Sequence, residues 1–553
     1  MNIFDKDGLY FLPLGGAEEV GFNLYVYSVN GKIIIVDAGF GFLNDDFPGM
    51  EMGMADAGFL DDYAGDVEAV FITHAHEDHF GAISHIWPKI RCPVYATGFT
   101  LGHITARLDE FKINGYEDKL NEVNDGDVIY LDEFEVKFAY LVHSTPQNSA
   151  LLIKTKYGNV VHATDWRFDD GTIDMLSTNI EALEDFAKQG VDMLVCDSTN
   201  VSDEKREKHT EMDVRRFLLE LVPQLKNTVV ATCFPSNIVR LQSLMMAAEK
   251  AGRTPVVAGM SLIRNIRIAK ECGYLKNVPN FLEAKAAADI PLDNILYICA
   301  GSQGNYRSAL ARIVNEENKD IILGEGDAII FSSQIIPGNE QKIERMQETL
   351  RLRGVEVITK EDYVVHTSGH GGKDDIRKMY EILKPKILIP VHGEKRYLRE
   401  HARFAEALGI EQVVNVRNGD VLLLKNAKVE TVEKVPTDII GVDRKQLTSI
   451  NSQLVKNRKR IMYNGSVFIS VVFGSGWSLE DLQISSIDIL EEYEWNKLLE
   501  EIKEKMLKDI PEHVKILEYN ENSIIEYVKS KIRKFILIST GIKPVVFMHY
   551  KKL

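Results

Sequence analysis

The chain has 553 residues, which is enough for about two to four domains. Hydrophobic residues make up 45% and charged residues 27%, as in folded globular proteins, and the sequence contains no apolar run of the ~18 residues that a membrane span requires. With 65 Lys and Arg against 82 Asp and Glu, the net charge of −17 by itself argues against a polyanionic partner, although metal ions or a basic patch can reverse the local field.

Short strands broken by Gly and Asp turns are predicted for residues 9–200. Examples are residues 33–36, 69–73 and 159–163, and each of these runs ends at or near a polar residue. The N-terminus, residues 1–10, lacks the basic-then-apolar pattern of a secretion signal. Five scattered cysteines without a CxxC pair favour free thiols over disulfides or a cysteine zinc site. We therefore expect a cytoplasmic protein.

The densest group of metal-ligand side chains is the sequence THAHEDH at residues 73–79, directly after an apolar strand. Three imidazoles and a carboxylate in so short a segment suit Zn²⁺, with Mn²⁺ as the alternative, and a polar surface loop is the simpler but weaker interpretation. In an extended loop His74 and His76 point to the same side, whereas the adjacent Asp78 and His79 diverge. The loop therefore favours two metal ions over one.

A metal pair needs further ligands, and three candidates follow other predicted strands. His143, Asp165 and His392 each come after an apolar run. Taken alone, each is more simply a hydrogen-bonded polar residue or a turn former. Together with the 73–79 loop they complete a ligand set for two metals about 3.5–4 Å apart, which activate water for hydrolysis and suit phosphate esters.

Residues 201–350 change in character. Val214, Phe217, Leu218 and Leu221 have helical spacing, and predicted helices then alternate with strand-like runs, a pattern that indicates a parallel α/β unit. Short strands with polar ends return at residues 351–430. We therefore predict that residues 206–350 form a domain inserted into a first domain, which is built from residues 1–205 and 351–430.

The remaining sequence predicts a linker and a small C-terminal domain. Residues 431–450 are assigned to the linker, and residues 451–553 show a strand, two helices and a strand. One helix places apolar residues on one face, opposite a lattice of Glu and Lys: Trp495, Leu498, Leu499, Ile502 and Met506. We expect this α+β domain to support a homodimer or homotetramer.

Additional polar motifs occur in a fixed order along the chain. DSTN at 197–200 follows an apolar predicted strand, and HTSGH at 366–370 and PVHGE at 390–394 come later in the chain. Within 206–350 lie FPSN at 234–237, GSQG at 301–304 and SSQIIPGNE at 332–340. LGG occurs at 14–16 and TGxxP at 540–544. Together with Asp37 and the candidate ligands, these motifs resemble those of the metallo-β-lactamase superfamily, its β-CASP nucleases and, over essentially the whole chain, the bacterial ribonuclease J family.

The resemblance implies a fold and a metal site. The fold is a four-layered αββα metallo-β-lactamase sandwich with an inserted β-CASP α/β domain. Two Zn²⁺ per subunit, or Mn²⁺, are implied, and Asp37 would orient the ligands from behind. By the same resemblance one metal is held by His74, His76 and His143, the second by Asp78, His79 and His392, and Asp165 bridges them.

The resemblance also implies an activity. The chain is expected to be a metal-dependent ribonuclease with 5′–3′ exonuclease and endonuclease activity on single-stranded RNA, preferring a 5′-monophosphate, in rRNA maturation and mRNA turnover. Asp78 would assist as a base and His370 as a proton donor, and Asp197 is a third candidate catalytic residue.

Two segments are candidates for substrate binding. Hydroxyl, glycine and backbone N–H groups of His366, Thr367, Ser368, Gly369 and His370 can form an anion nest for a phosphate, although a Gly turn with a capping Ser is the alternative. Ser236 and Asn237 are candidates for substrate contact and equally for an ordinary helix N-cap.

Two rival functions stay open on the sequence. One is a small-molecule metallo-hydrolase of the same superfamily, and the other is a non-catalytic RNA-binding paralogue, which would be expected to have lost metal ligands. None of the seven is missing here. The chain departs from the family where Gln147 and Asn148 follow the proline after His143, without the usual acidic residue, and where Trp166-Arg167 replaces the commoner Phe-Lys pair after Asp165. These departures bear on substrate preference.

Overall fold

The computed structural model describes residues 3–44, 46–169, 173, 177–202, 209–305, 307–336, 338–443, 446–516 and 520–553. The chain divides into two compact units, residues 1–42 with 53–439 and residues 43–52 with 440–553. The predicted boundary between residues 205 and 206 lies outside the described residues, as does Pro337 of the SSQIIPGNE motif.

Two sheets form the first domain. Its N-terminal part contains β1 (Leu9–Gly15), β2 (Leu24–Val29), β3 (Lys32–Val36), β4 (Phe40–Phe42), β5 (Met52–Ala55), β6 (Val67–Phe71), α1 (Glu77–Phe80), α2 (Ile83–Ile90), β7 (Val94–Ala96), α3 (Gly98–Glu110), β8 (Leu120–Glu122), β9 (Val128–Tyr130), β10 (Glu135–Tyr140), β11 (Ser149–Thr155), β12 (Gly158–Ala163), α4 (Ile180–Ala187) and β13 (Met193–Asp197).

The inserted segment and the return to the first domain follow. The inserted elements are α5 (Glu211–Leu221), β14 (Val229–Thr232), α6 (Ile238–Lys250), β15 (Thr254–Ala258), α7 (Met260–Glu271), β16 (Leu282–Glu283), β17 (Ile295–Cys299), α8 (Ala309–Val314), β18 (Ala328–Phe331), α9 (Glu340–Leu352) and β19 (Glu356–Ile358). The return comprises α10 (Lys373–Leu383), β20 (Ile387–Val391), α11 (Lys395–Ala407), β21 (Gln412–Val413), β22 (Asp420–Lys425) and β23 (Lys428–Lys434).

The two sheets of the first domain pack face to face. One has the order β23-β22-β1-β2-β3-β6-β7-β8 and the other β21-β20-β13-β12-β11-β10-β9. Successive side chains in a strand point to opposite faces, so Leu151 and Ile153 of β11 pack between the sheets, whereas Ala150 and Leu152 pack with residues of α4, α10 and α11. The predicted αββα fold class is confirmed.

The inserted domain is a parallel sheet covered by helices on both faces. Its strand order is β16-β15-β17-β14-β18-β19. Val229 and Ala231 of β14 face a core with α6 and α7, and Val230 faces a core with α8 and α9. Because β19 pairs in parallel with β18, the inserted sheet extends to Ile358, beyond the predicted boundary at residue 350.

The second unit contains β24 (Ile439–Asp443), β25 (Gln446–Ser449), α12 (Gln453–Asn464), β26 (Ser466–Phe473), β27 (Leu479–Ile487), α13 (Glu492–Ile516), α14 (Glu521–Thr540) and β28 (Val545–Lys552). Central β26 pairs in parallel with β28 and antiparallel with β27. Ile502 and Met506 of α13 are buried in its core. Residues 431–450, the predicted linker, contain the end of β23 and the strands β24 and β25, which pair with each other.

No helix in the described part of the chain combines the length and apolarity needed to cross a bilayer.

Candidate metal centre

The predicted ligands lie on loops at the carboxyl ends of neighbouring parallel strands. Asp37 follows β3 and His74 follows the adjacent β6. Asp165 follows β12, Asp197 ends β13 and His392 follows β20, and these three strands are parallel neighbours. Parallel strands end at the same edge of a sheet, so residues distant in sequence meet there.

Three of these residues have a backbone conformation that L-amino acids rarely adopt. The φ angles are 63° at Asp37, 51° at Asp165 and 52° at His392. Each residue lies in the turn that directly follows its strand, and a left-handed non-glycine residue costs about 1–3 kcal/mol. The strained turns aim these side chains back over the sheet edge, as is common at functional sites.

One group of four ligand atoms contains three imidazoles and one carboxylate. His76 Nδ1 lies 3.0 Å from His74 Nε2 and 3.0 Å from His143 Nε2. Asp165 Oδ2 lies 3.7 Å from His74 Nε2 and 3.4 Å from His143 Nε2. Ligand-capable atoms of these four residues all lie within 4.8 Å of one another.

A second group shares Asp165 with the first. His79 Nε2 lies 3.2 Å from Asp165 Oδ1 and 3.5 Å from Asp78 Oδ2. His392 Nε2 lies 3.1 Å from Asp78 Oδ2, and its Nδ1 lies 3.4 Å from Asp165 Oδ1. The seven predicted ligands are thus brought together as two groups, with the two oxygens of Asp165 divided between them.

Hydrogen bonds behind the imidazoles fix which nitrogen carries the proton. His79 Nδ1 donates to Asp37 Oδ2 at 2.7 Å, and His143 Nδ1 donates to the carbonyl of Gly369 at 2.7 Å. In the neutral imidazoles, both bonds leave Nε2 with its lone pair directed into the groups. This carboxylate- or carbonyl-backed arrangement is typical of metal-ligating histidines.

Burial and charge make the centre attractive to cations. Burial lowers the pKa of His76 to about 4 and holds the pKa values of His74 and His143 well below the ordinary range. Burial also acts to lower the pKa of His392, but Asp165 and the other nearby carboxylates outweigh it and raise that pKa to about 10. A potential that stabilises a proton on a buried imidazole also stabilises a metal cation.

The donor set fits bound metal. Asp165 Oδ1 is buried and lies 3.2 Å from His79 Nε2 and 3.4 Å from His392 Nδ1, but neither contact has good hydrogen-bond alignment. A buried carboxylate oxygen without a well-aligned donor is costly unless another ligand binds there. Imidazole nitrogens with carboxylate oxygens are the ligands of zinc hydrolases, so both groups suit metal binding.

His370 and Asp197 form a pair beside the two groups. His370 Nδ1 lies 2.8 Å from Asp197 Oδ2, and His370 Nε2 lies 3.9 Å from Asp165 Oδ2. The side chain of His370 is 20% exposed, in contrast to the fully enclosed His74. Burial acts to lower the pKa of His370, but Asp197 and Asp165 outweigh it and raise that pKa.

The HTSGH loop lies against the predicted ligand His143. The Cβ of any side chain at Gly369 would lie 2.7 Å from the imidazole of His143, so only glycine permits this approach. Ser368 Oγ accepts from the backbone N–H of His370 at 3.1 Å and from Asn200 Nδ2 at 2.7 Å. Thr367 Oγ1 accepts from Arg167 Nη1 at 2.6 Å. The loop is therefore tied to the site, and its phosphate contact stays a prediction.

The remaining candidates lie apart from this cluster. Asn237 caps α6, accepting from the backbone N–H of Arg240 at 2.9 Å, and its Nδ2 donates to Glu211 Oε1 at 3.2 Å. Ser236 beside it is half-buried, whereas His366 lies with its Nδ1 3.3 Å from Arg240 Nη1. Asn237 is thus engaged in the N-cap that the sequence also allowed, and substrate contact by Ser236 or Asn237 remains untested.

Sequence reasoning missed two supporting residues. Thr199 Oγ1 donates to Asp197 Oδ1 at 2.7 Å and accepts from His392 Nδ1 at 2.9 Å. Asn23 Nδ2 donates to the carbonyl of Asp78 at 2.9 Å and lies 3.2 Å from His79 Nε2. The DSTN motif was a signal for Thr199. Asn23 is separated from Asp78 by 55 positions and had no local signal.

Three family models match the chain in the order of its domains. They are the beta-lactamase superfamily domain at residues 32–231, the ribonuclease J beta-CASP domain at residues 226–350, and the Zn-dependent metallo-hydrolase RNA specificity domain at residues 354–415. The last begins just before the HTSGH loop and includes His392.

Curated relatives match over most of their length. Ribonuclease J of Sinorhizobium meliloti is 35% identical over 86% of this chain and 84% of its own. Ribonuclease J of Mycobacterium tuberculosis is 32% identical over 85% and 84%, and that of Thermus thermophilus 29% identical over 98% and 95%. An Enterococcus faecalis protein of unknown function shares the fold, with a TM-score of 0.52 at 17% identity over 75% of this chain and 100% of that one. The chain therefore belongs to the ribonuclease J family.

Proposed function

We propose that this chain is a metal-dependent ribonuclease that hydrolyses phosphodiester bonds in single-stranded RNA with two divalent cations, Zn²⁺ or Mn²⁺. The observation that carries the proposal is the convergence of seven ligand side chains into two groups that share Asp165. A shared carboxylate fits a pair of cations better than two independent ions. The names of the curated relatives supply RNA as the substrate class.

When bound, such a pair supplies neutralisation of the phosphate oxygens and a water of lowered pKa. The chain supplies the remaining chemistry. Asp78, whose side chain is 29% exposed, is the most open carboxylate among those around the centre and is assigned the role of accepting the proton of the attacking water. His370 faces the centre through Nε2 and is assigned proton donation to the leaving oxygen.

Asp197 supports the proton donor. Its Oδ2 accepts from His370 Nδ1, which orients the ring and stabilises the imidazolium form that carries the transferable proton. Thr199 holds the other oxygen of Asp197, so the carboxylate has little freedom to rotate. General acid catalysis by a positioned imidazole contributes about 10²–10⁴-fold to a rate.

We further propose 5′–3′ exonuclease action from a 5′-monophosphate as well as internal cleavage, in rRNA maturation and mRNA turnover. The HTSGH loop supports a phosphate site, because its backbone and hydroxyl groups lie between His143 and Asp197. A cytoplasmic location and a homodimer or homotetramer belong to the same proposal.

The test is incubation of the Zn²⁺- or Mn²⁺-loaded protein with 5′-monophosphorylated, 5′-triphosphorylated and circular RNA. Release of mononucleotides from the monophosphorylated RNA alone supports directional exonuclease action, and cleavage of the circle supports endonuclease action. The matched control is His76→Ala, which removes a ligand of one group. Equal activity of His76→Ala and the unaltered chain would refute a metal-dependent mechanism.

The two rival functions are tested in the same preparation. Turnover of nitrocefin or a thioester without RNA cleavage would support a small-molecule hydrolase. RNA binding with neither cleavage nor bound metal, in anomalous scattering with added Zn²⁺, would support a non-catalytic RNA-binding paralogue.

A further inference from the structure

Arg167 occupies a junction between the metal centre and the inserted domain. It lies two residues after Asp165, and its side chain is 5% exposed. Its backbone N–H donates to the carbonyl of Val142 at 2.9 Å, directly before the ligand His143. The backbone of Arg167 thus belongs to the ligand loops.

The side chain of Arg167 reaches both chain crossings of the inserted domain. Its Nη1 donates to the carbonyl of His209 at 3.2 Å, just before α5 begins the inserted domain. The same Nη1 donates to Thr367 Oγ1 at 2.6 Å, where the chain has just left that domain. Thr367 Oγ1 in turn donates to the carbonyl of His209 at 2.6 Å. The entry and exit segments are therefore joined to each other and to the guanidinium.

Asp169 completes the junction. Its side chain is 2% exposed and pairs with Arg167 Nη2, which compensates the buried guanidinium charge. Asp169 Oδ2 also accepts from the backbone N–H of Glu211 at 3.4 Å, in the first turn of α5. A carboxylate at a helix N-terminus is favourable because of the exposed N–H groups there.

We propose that Arg167, paired with Asp169, is a positioning residue that ties both crossings of the inserted domain to the ligand loops and so holds the RNA path in register with the metal centre. The inference rests on the proposed ribonuclease function. A planar guanidinium suits this task, because it donates in several fixed directions at once. A lysine ammonium is a point charge that cannot reproduce the same set of bonds.

The prediction separates positioning from a general structural role. The proposal requires RNA to contact the inserted domain and the metal centre together, whereas a small diester such as bis(p-nitrophenyl) phosphate needs the centre alone. In Arg167→Lys and Asp169→Asn, we expect kcat/KM for 5′-monophosphorylated RNA to fall about tenfold or more, as for the loss of a hydrogen bond to a charged group. Turnover of the small diester and the zinc content should stay within about twofold, since neither variant removes a ligand.

The matched control is Arg253→Lys. Arg253 is also a buried arginine, but it donates to the carbonyls of Leu225 and Ile295 at the amino ends of the inserted strands. The ratio of RNA turnover to small-diester turnover should be unchanged in this control. A parallel fall on both substrates in Arg167→Lys, or no fall on RNA, would overturn the inference.

Hydrogen exchange supplies a readout that does not depend on RNA cleavage. Amide exchange at residues 209–221 and 365–371 should be faster in Arg167→Lys than in the unaltered chain, with no comparable change in Arg253→Lys. If the unaltered chain cleaves no RNA, the proposed function fails, while this exchange difference still decides whether Arg167 joins the two crossings. Unchanged exchange in both segments would overturn that junction.

Discussion

Two buried polar clusters in the same unit differ in how their charges are balanced. At the metal centre, imidazole and carboxylate groups converge around Asp165, whose buried Oδ1 receives no well-aligned hydrogen bond from the described residues. In the inserted domain, Arg240 is fully buried beside Glu211, which accepts from its Nε at 3.1 Å and from its Nη2 at 2.8 Å.

The third guanidinium nitrogen of Arg240, Nη1, is also hydrogen-bonded. It donates to Ser332 Oγ at 2.7 Å and to the carbonyls of Ser332 and Val365, both at 3.0 Å. One cation and one carboxylate therefore close a network that needs nothing further. The contrast indicates that a buried cluster with surplus acceptor atoms awaits a ligand, whereas a balanced one stabilises the fold.

The largest expected effect comes from removing the residue that both metal groups share. In Asp165→Ala we expect the loss of both cations, because each group loses an oxygen, and a fall in RNA cleavage of roughly a thousandfold or more, as for other single removals from a catalytic unit. Metal analysis of the dialysed protein and initial cleavage rates provide the measurements. Retention of two metal ions per chain would contradict this prediction, since Asp165 would then not be the shared ligand.

The balanced cluster predicts the opposite pattern. Arg240→Met leaves the carboxylate of Glu211 buried without its cation, so the free energy of unfolding should fall by about 3–5 kcal/mol. Metal content should not change. Denaturant unfolding followed by a probe in the inserted domain measures the loss. The double variant with Glu211→Gln should recover part of it, and a single variant that loses metal rather than stability would contradict the distinction.

The sequence indicated most of the residues that converge at the candidate metal centre because their signals are local. THAHEDH concentrates ligands in one loop, and His143, Asp165 and His392 each follow an apolar strand, so a shared sheet edge brings them together. The balanced cluster lacked such signals. Glu211 and Arg240 are 29 positions apart on two helices, and Val365 lies 125 positions from Arg240. The packing of α5 on α6 joins Glu211 to Arg240, and the packing of the inserted domain on its exit segment brings in Val365.

The end of the inserted domain likewise depends on pairing between strands that are distant in sequence. The alternation of strands and helices predicted the inserted α/β unit, but not that Glu356–Ile358 pairs with β18 as the last strand of its sheet. Residues 431–450 were predicted to be a linker. Two strands within this segment, β24 and β25, pair with each other, and the sequence pattern did not indicate them.

A smaller effect is expected at the edge of the metal centre, where His370 is partly exposed and pairs with Asp197. In His370→Gln we expect RNA cleavage to fall about a hundredfold, the lower end for loss of a general acid, with metal content unchanged. Asp197 raises the pKa of His370 against the effect of burial, and the acid form is the active one, so the rate that depends on it should fall as pH rises through that pKa. The His370→Gln variant should lack this alkaline limb, and a limb identical in both proteins would exclude His370 as the donor.

The smallest effect concerns a third buried cluster, which is balanced without any formal charge. His401 Nδ1 lies 2.8 Å from Ser198 Oγ, and His401 Nε2 lies 2.6 Å from Tyr380 OH, so both ring nitrogens are hydrogen-bonded. Burial lowers the pKa of this imidazole to about 4. The unfolded imidazole takes up a proton near pH 6.5, so the unfolded state binds more protons between the two values. The folded state should therefore lose stability as pH falls from about 6.5 towards 4, by about 2 kcal/mol at pH 5.

The variant His401→Gln isolates that contribution, because glutamine offers a donor and an acceptor but does not titrate. It should be less stable than the unaltered chain at pH 7, and the difference in the free energy of unfolding should shrink by about 2 kcal/mol at pH 5. Denaturant titrations at both pH values, with EDTA in each, remove the contribution of bound metal from the comparison. A constant difference would mean that His401 titrates with the same pKa in the folded and unfolded states. The cluster of His401, Ser198 and Tyr380 would then carry a charge at pH 5, and neutral balance could not explain its burial.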